Sequence, residues 1–304
     1  LKALVTGGRG FVGSHLVSAL VKQGAEVHII DNLSHCSTAS IHPNVHLHVM
    51  DIGEPQTVQR IEMLRPDLVF HLAAQVNVQR SMEDPGLDGL VNIIGTIHVL
   101  EGCRLAGVNK LVFASSCAVY GMSEQEILQE RDATNPISFY GISKLTAERY
   151  IQSYGQIYSL PYTIFRFANV YGPGQSSRGE GGVIPSFLYR IQQGQPLVLY
   201  GDGEQTRDFI YVKDVVSALV AARDRGDGHI IQLGSSVKTS VHHLIEQLEN
   251  IHGTSLKRAY KPARQGEIRD SLLDRQKAAK LLQWQPQYSL LQGLRETYAH
   301  VMRS

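Results

Sequence analysis

The sequence predicts an α/β chain: a doubly wound parallel sheet followed by a smaller mixed α/β region. Three observations carry that prediction. From residue 2 onward, short β-branched runs alternate with longer amphipathic stretches. The runs are almost continuously apolar, as strands covered on both faces must be. The alternation then stops near residue 170, where the Gly/Ser-rich "YGPGQSSRGEGG" can only be loop.

Taken in order, "KALVTG" is the first strand and leads into "FVGSHLVSALVKQG". There the apolar residues 11, 12, 16, 17, 20 and 21 recur at helical spacing. Gly24 closes the helix and "AEVHIID" is the next strand. "VHLHVMD" (45–51), "DLVFHLAA" (67–74), "KLVFASS" (110–116) and "YTIFRFANV" (162–170) follow, with helical or long crossovers at 55–65, 86–106 and 140–158. Connections of this length imply right-handed crossovers between parallel strands. Beyond 170 we expect a helix at 183–193, a strand at "LVLYG", a helix from Val212 to Asp224 and a strand at "HIIQLG". Two closing helices are expected near 240–251 and 274–282. The implied division is a first domain over 1–168 and a second over 169–304, with 228–234 returning to the first sheet.

The 304 residues carry a net charge of +1, with 43% hydrophobic and 19% charged residues, enough for a sizeable core. That balance gives no electrostatic reason to expect nucleic acid or an anionic membrane as partner. Cys36, Cys103 and Cys117 lie far apart with no CxxC, which points to a reducing, cytoplasmic setting. No apolar run approaches the roughly 20 residues of a spanning helix. The chain opens on a strand rather than on a basic-then-apolar leader, so export is not expected.

"TGGRGFVG" places Gly7, Gly10 and Gly13 at GxxGxxG spacing between the first strand and the first helix. Glycines are needed there because a pyrophosphate lies against amides at the helix N-terminus, where a Cβ would collide. Eighteen residues beyond Gly13, the second strand ends in Asp31, where a carboxylate meets a ribose 2′-hydroxyl. The bland alternative is a tight turn with a surface Asp, and the four elements in register outweigh it. Arg9 could meet a 2′-phosphate, but Asp31 would repel one, so NAD is expected rather than NADP.

"SFYGISK" sets Tyr140 and Lys144 four apart, on one face of a helix. A phenol of pKa about 10 is a poor base at neutral pH, and a neighbouring ammonium should lower it. Alone the pair is weak evidence, because Tyr and Lys at this spacing are common on exposed helices. After a dinucleotide motif and a strand ending in "SSCAVYG" it becomes specific.

Over essentially its whole length the chain now resembles the extended short-chain dehydrogenase/reductase family. The resemblance rests on "TGGRGFVG", "DNLS", "HLAAQ", "VNIIGT", "SSCAVYG", "YGISK", "RFANVYGPGQ", "GDGEQTRDFIYVKDV" and "RQGEIRDS". Within the family the chain is most similar to the bacterial nucleotide-sugar 4-epimerases of UDP-glucose/UDP-N-acetylglucosamine type. This implies a Rossmann domain holding NAD, a second domain binding a UDP-hexose, and a homodimer built on the 86–106 and 140–158 helices. It implies that Tyr140 is the acid/base, that Lys144 orients the ribose and lowers the Tyr pKa, and that Ser116 shares the substrate proton. Asp51 and Ile52 would flank the adenine, and Ala73, Ala74 and Gln75 would line the dinucleotide. Phe11, Val12, Asn32, Leu72 and Phe167 would join that shell, with Asn92 supporting the strand ends near the nicotinamide.

On the substrate side the resemblance implies that Asn169 contacts the diphosphate, although the aromatic usual just before it is Ala168 here. Arg207 and Arg264 would be the two phosphate arginines, suited to paired hydrogen bonds with a pyrophosphate. Tyr200 would stack on the pyrimidine, Glu267 would take the ribose, and Val183 would line the sugar-nucleotide site. Ser271 stands where the 4-epimerases border the sugar 2-position, so N-acetylated sugars are expected to fit. Cys117 and Ala118 occupy the places of the acidic pair of 4,6-dehydratases, which argues against elimination. A uronate epimerase, a decarboxylase, a 4,6-dehydratase and a catalytically silent NAD-sensing scaffold remain as alternatives. The 175–182 loop reads equally as a lid over the sugar or as a plain crossover.

Cys117 has no nearby His in sequence to activate it, so packing is its expected role. His46 and His48 share one strand face, and His242 and His243 are adjacent. A metal would need a third or fourth ligand, and no Cys or carboxylate pattern supplies one, so no metal is expected.

Overall fold

The computed structural model describes residues 1–34, 42–176, 182–263 and 268–303. The first half runs β1 (Lys2–Thr6), α1 (Phe11–Lys22), β2 (Glu26–Asp31), β3 (Val45–Val49), α2 (Gln56–Leu64) and β4 (Leu68–His71). Two short helices follow, α3 (Val78–Glu83) and α4 (Pro85–Gly89), then α5 (Gly95–Ala106), β5 (Lys110–Ser116), α6 (Phe139–Tyr158) and β6 (Tyr162–Phe167). The remainder is β7 (Asn169–Tyr171), α7 (Val183–Gln192), β8 (Leu197–Tyr200), β9 (Thr206–Tyr211), α8 (Val212–Ala221) and β10 (His229–Leu233). It closes with β11 (Lys238–Ser240), α9 (Val241–His252), β12 (Arg258–Lys261), α10 (Gln276–Leu282) and α11 (Leu290–Arg303).

Seven strands form one sheet in the order β10-β6-β5-β4-β1-β2-β3, and every pairing in it is parallel. The strand order reverses between β1 and β4, and ligands of open α/β sheets bind at the carboxyl ends beside such a switch point. Both faces of the sheet are covered. One packs Ala3, Val5, Val27 and Phe70 into a core shared with Phe187, Leu219 and Leu244 of the second half. The other packs Leu4, Ile30, Val69 and Phe113 against Val99, Leu100 and Ile151 of α5 and α6. "HIIQLG" does return to the first sheet, as β10 beside β6.

Three differences from the sequence expectation bear on function. "YTIFRFANV" is not one strand: Ala168 divides β6 from β7, and β7 pairs with β9 in a separate three-stranded sheet. The 86–106 crossover is interrupted by a π-helical turn, Leu90–Ile94. Such one-turn widenings concentrate at functional sites, and this one carries Asn92. The last difference is α11, which follows the two expected closing helices and packs Leu294 into the core. Among the described residues, no helix is long and apolar enough to cross a membrane.

Candidate active site

The expected cofactor residues collect at the carboxyl edge of the sheet. Thr6 at the end of β1 lies between Ile30 of β2 and His71 of β4. Gly7 follows with φ +68°, and a Cβ on it would meet the Ala73 amide at 2.7 Å. A Cβ on Gly13 would meet the Gly7 carbonyl at 2.1 Å, so only glycine lets α1 pack this close to the turn. Gly10 is the N-cap of α1; Phe11 and Val12 begin the helix, with no side-chain cap and no acidic residue in the first turn. The first N–H groups of a helix lack intrahelical partners, so this end suits an anion such as pyrophosphate. Asp31 is buried at the end of β2 and accepts from the Arg9 amide (2.9 Å) and the Leu33 amide (2.8 Å). A carboxylate keeps further lone pairs after two such bonds, enough to accept from ribose hydroxyls. Two acceptor oxygens beside the turn fit NAD and oppose a 2′-phosphate.

Around this edge the chain fixes itself with polar ties. Asn32 donates to Asp51 Oδ2 at 2.8 Å, and the Gly53 amide donates to Asp51 Oδ1 at 2.8 Å. Ile52 is buried, and its carbonyl meets His98 Nδ1 at 2.9 Å. The Leu72 and Ala73 amides both donate to Thr6 Oγ1 at 3.2 Å. Ala74 is half-buried, and Gln75 is held through its backbone: Asn92 accepts from the Gln75 amide and donates to its carbonyl, both at 2.9 Å. A buried His71 bridges Thr6 (2.7 Å) and Thr96 (3.0 Å), and Thr96 donates to the Asn92 carbonyl at 2.6 Å. With Thr96 donating there, His71 Nε2 must donate to Thr96 and Nδ1 must accept from Thr6. Burial holds its pKa down, to about 3, so the ring stays neutral and the relay keeps one direction.

The catalytic candidates meet beside the ends of β5 and β6. Ser116 ends β5 next to Phe167 of β6, which is buried. Ser116 Oγ accepts from the Ala118 amide at 3.1 Å and neighbours the Tyr140 phenol, whose pKa it pulls downward. Ser138 caps α6 by accepting from the Gly141 amide at 3.1 Å, and the Tyr140 amide donates to Ser81 Oγ of α3 at 3.1 Å. Gly141 lets α6 lie against the turn: a Cβ there would meet the Ala118 carbonyl at 2.6 Å. One turn along, buried Lys144 donates to the Ala114 carbonyl at 2.9 Å and lies 4.8 Å over the Phe113 ring.

In the protein alone, desolvation pushes the Tyr140 phenol up to about 12, and the nearby Ser116 hydroxyl offsets only part of that. Burial also brings Lys144 down to about 8, against the pull of Asp88 and Glu148. The ammonium is committed to a carbonyl on β5, and burial outweighs it at the phenol. Burial likewise raises the pKa of the Cys117 thiol, against the smaller downward pull of neighbouring Ser271 and Ser116, so it is not poised as a nucleophile.

On the substrate side, Asn169 opens β7 opposite Phe209 of β9. Val183 begins α7, and Tyr200 ends β8, half-buried. Arg207, on β9, donates to the Thr206 carbonyl (2.9 Å) and the Arg269 carbonyl (3.0 Å). Ser271 is buried and lies near the Cys117 thiol, whose pKa it pulls downward, which places it beside the Ser116 turn. Arg264, Glu267 and most of the 175–182 loop lie outside the described residues.

Several residues that support the site are absent from the sequence reading. Asp88 is buried and accepts from Gln75 Nε2 (2.9 Å) and Asn92 Nδ2 (3.2 Å), tying the cofactor edge to the π-helical turn. Its spacing of four from Asn92 is a helical signal that could have found it. Glu148 is also buried. It accepts from Arg166 at 2.7 Å and 3.0 Å and from Ser115 at 2.6 Å. Arg166 in turn donates to the Tyr120 phenol at 2.8 Å. No local pattern announces a pair drawn from separate elements. The first serine and the tyrosine of "SSCAVYG" thus serve the scaffold, leaving Ser116 to face Tyr140.

The comparisons agree with this geometry. The profile of the family described as "NAD dependent epimerase/dehydratase family" matches residues 3–234. The structure of a UDP-glucose 4-epimerase from Thermotoga maritima, determined with UDP-glucose, superposes with a TM-score of 0.97 at 39% identity, covering 100% of this chain and 99% of that one. A UDP-glucose 4-epimerase of Thermus thermophilus, in complex with NAD, superposes with a TM-score of 0.94 at 35% identity, covering 99% of each chain. A relative from Bacillus cytotoxicus, 34% identical over 312 residues (97% of this chain, 96% of that one), is named UDP-N-acetyl-alpha-D-glucosaminuronate decarboxylase. A Rossmann sheet with a cradle suited to NAD, a Tyr and Lys one turn apart at its edge, and a profile spanning most of the sequence converge on one assignment. The chain is an enzyme of the NAD-dependent epimerase/dehydratase family, with NAD as its cofactor.

Proposed function

We propose that the chain interconverts UDP-hexoses at C4, UDP-glucose with UDP-galactose, and accepts the N-acetylated pair as well. The observation that carries this reading is the meeting of Ser116, at the end of β5, with Tyr140 and Lys144, one turn apart on α6, beside the cofactor edge. Bound NAD supplies the hydride acceptor and, when oxidised, a positive charge that favours the phenolate. The chain's own part is proton handling and orientation. Tyr140 takes the 4-hydroxyl proton, and neighbouring Ser116 hydrogen-bonds the same substrate oxygen and shares it. Lys144 fixes the adjoining ribose, and α6 packed against the end of β5 holds all three at one edge. Such positioned acid–base groups contribute on the order of 10²–10⁴-fold in rate. The 4-keto sugar turns about its diphosphate linkage, held by Asn169, Arg207 and Arg264, and receives hydrogen on its other face. The Tyr140 proton then returns to O4, so the cycle has no net redox change.

In this reading residues 1–168 hold the cofactor and 169–304 hold the sugar nucleotide. Cys117 and Ala118 offer no acid–base pair to expel a C6 hydroxyl, which disfavours a dehydratase. The test is to incubate the purified chain with UDP-glucose, UDP-N-acetylglucosamine and UDP-glucuronate and to resolve the products. The C4 epimers of the first two support the proposal. Turnover of UDP-glucuronate alone favours a uronate epimerase or decarboxylase, and no turnover by NAD-containing protein contradicts the proposal.

A further inference from the structure

We infer that Glu26, His28 and His46 form a binding site for a divalent transition-metal ion of the zinc class, at the opposite end of the sheet from the cofactor. The strand register supplies the converging ligands that the histidine spacing alone did not reveal. β2 and β3 are parallel, with His28 beside His46 and Ile30 beside His48. Alternation then puts Glu26, His28, His46 and His48 on one face. One donor atom from each of Glu26, His28 and His46 lies within 4.8 Å of the others. His28 is buried, and its Nε2 already meets Glu26 Oε1 at 2.9 Å. His46 is exposed and stacks on His28 with ring centroids 4.7 Å apart, so rotating its side chain brings a nitrogen inward.

The surroundings favour a metal over a bare cluster. If Nε2 of His28 ligates the ion, its Nδ1 carries the proton and donates to His48 Nε2, 3.1 Å away. Ligating histidines are commonly oriented in this way through their second nitrogen. Lys2 Nζ, 3.7 Å from Glu26, is the competing cation that an incoming ion must displace from the carboxylate. Two imidazoles and a carboxylate match zinc, cobalt or nickel, with water completing the shell, and they do not match the all-oxygen preference of magnesium or calcium. Glu26 opens β2 and Asp31 closes it, so the ion would lie about 17 Å from the cofactor edge at the usual rise per residue. Its effect would be structural, fastening the edge strand β3 to β2 and occupying a strand border that otherwise invites pairing.

The test uses the tag-free, EDTA-treated full chain, titrated with zinc and with cobalt by calorimetry and absorbance. One equivalent should bind and raise Tm by several degrees, while magnesium does neither. His46→Gln and Glu26→Gln, both at exposed positions that spare the fold, should each weaken binding by about tenfold or more. His48→Ala should weaken it by about 10–100-fold. His242→Gln should leave it unchanged, and C4 epimerase activity should be the same with and without metal. No saturable one-equivalent binding, or binding equal in wild type, His46→Gln and Glu26→Gln, overturns the site.

Discussion

Burial drives Tyr140 and Lys144 of α6 towards their neutral forms, and this shapes what can be measured at single residues. Lys144 has its folded pKa lowered from 10.5 to about 8. Between those values the unfolded chain binds more protons, so this group's contribution to stability rises with pH. We predict that the stability of Lys144→Met relative to wild type, from urea unfolding, falls as pH rises from 8 to 10. A constant difference would contradict the buried ammonium. Tyr140→Phe should keep its NAD and its Tm and lose on the order of 10²–10⁴-fold in kcat. At Ser271, a tyrosine would fill the space beside Cys117, so Ser271→Tyr should remove activity on N-acetylated sugars and spare UDP-glucose. Equal loss of both would reject that placement. These positions were legible in the sequence because each sits in a short motif with fixed spacing. The pKa of the phenol was not legible, because burial around Tyr140 is set by α3, β5 and the turn after Ser116.

At the scale of elements, α6 is the part on which the site depends. It is fastened to β5 and β6 through Glu148, which joins Ser115 and Arg166 inside the protein. Breaking one member of a buried ion pair costs about 3–5 kcal/mol. Glu148→Gln, which leaves Arg166 uncompensated, should therefore lower the urea midpoint strongly, whereas exposed Glu62→Gln should not. The start of the helix is set by Gly141. Gly141→Ala should push α6 from the Ala118 carbonyl and reduce kcat with little change in NAD content. The helix itself was legible in the sequence, as the 140–158 crossover with Tyr140 and Lys144 on one face, although its Ser138 cap was not read there. The π-helical turn was not, because one extra residue in a turn leaves almost no trace in periodicity. The break at Ala168 was equally hidden: β6 and β7 are apolar on both sides of it, and only pairing with β9 separates them.

For the whole molecule, the parallel sheet and its switch point followed from strands alternating with helices, and the return of "HIIQLG" from its apolar run. Contacts between distant segments, such as Glu26 and His28 with His46, needed the strand register. Assembly is a further expectation at this scale: we propose a homodimer through α5 and α6. Exposed Leu90 and Ile94 on the π-helical turn that leads into α5, and Ile142, Tyr150 and Ile157 along α6, support it, since contiguous apolar exposure marks interfaces. Light scattering should give twice the 33.6 kDa chain mass, and Ile142→Glu with Ile157→Glu should give the monomer. The central claim is that hydrogen leaves C4 and returns to C4 within one site, and one measurement tests it most directly. UDP-glucose deuterated at C4 should yield UDP-galactose that keeps its deuterium at C4, with none released to water. Product that has exchanged the label with solvent, or no galactose epimer at all, would contradict the account.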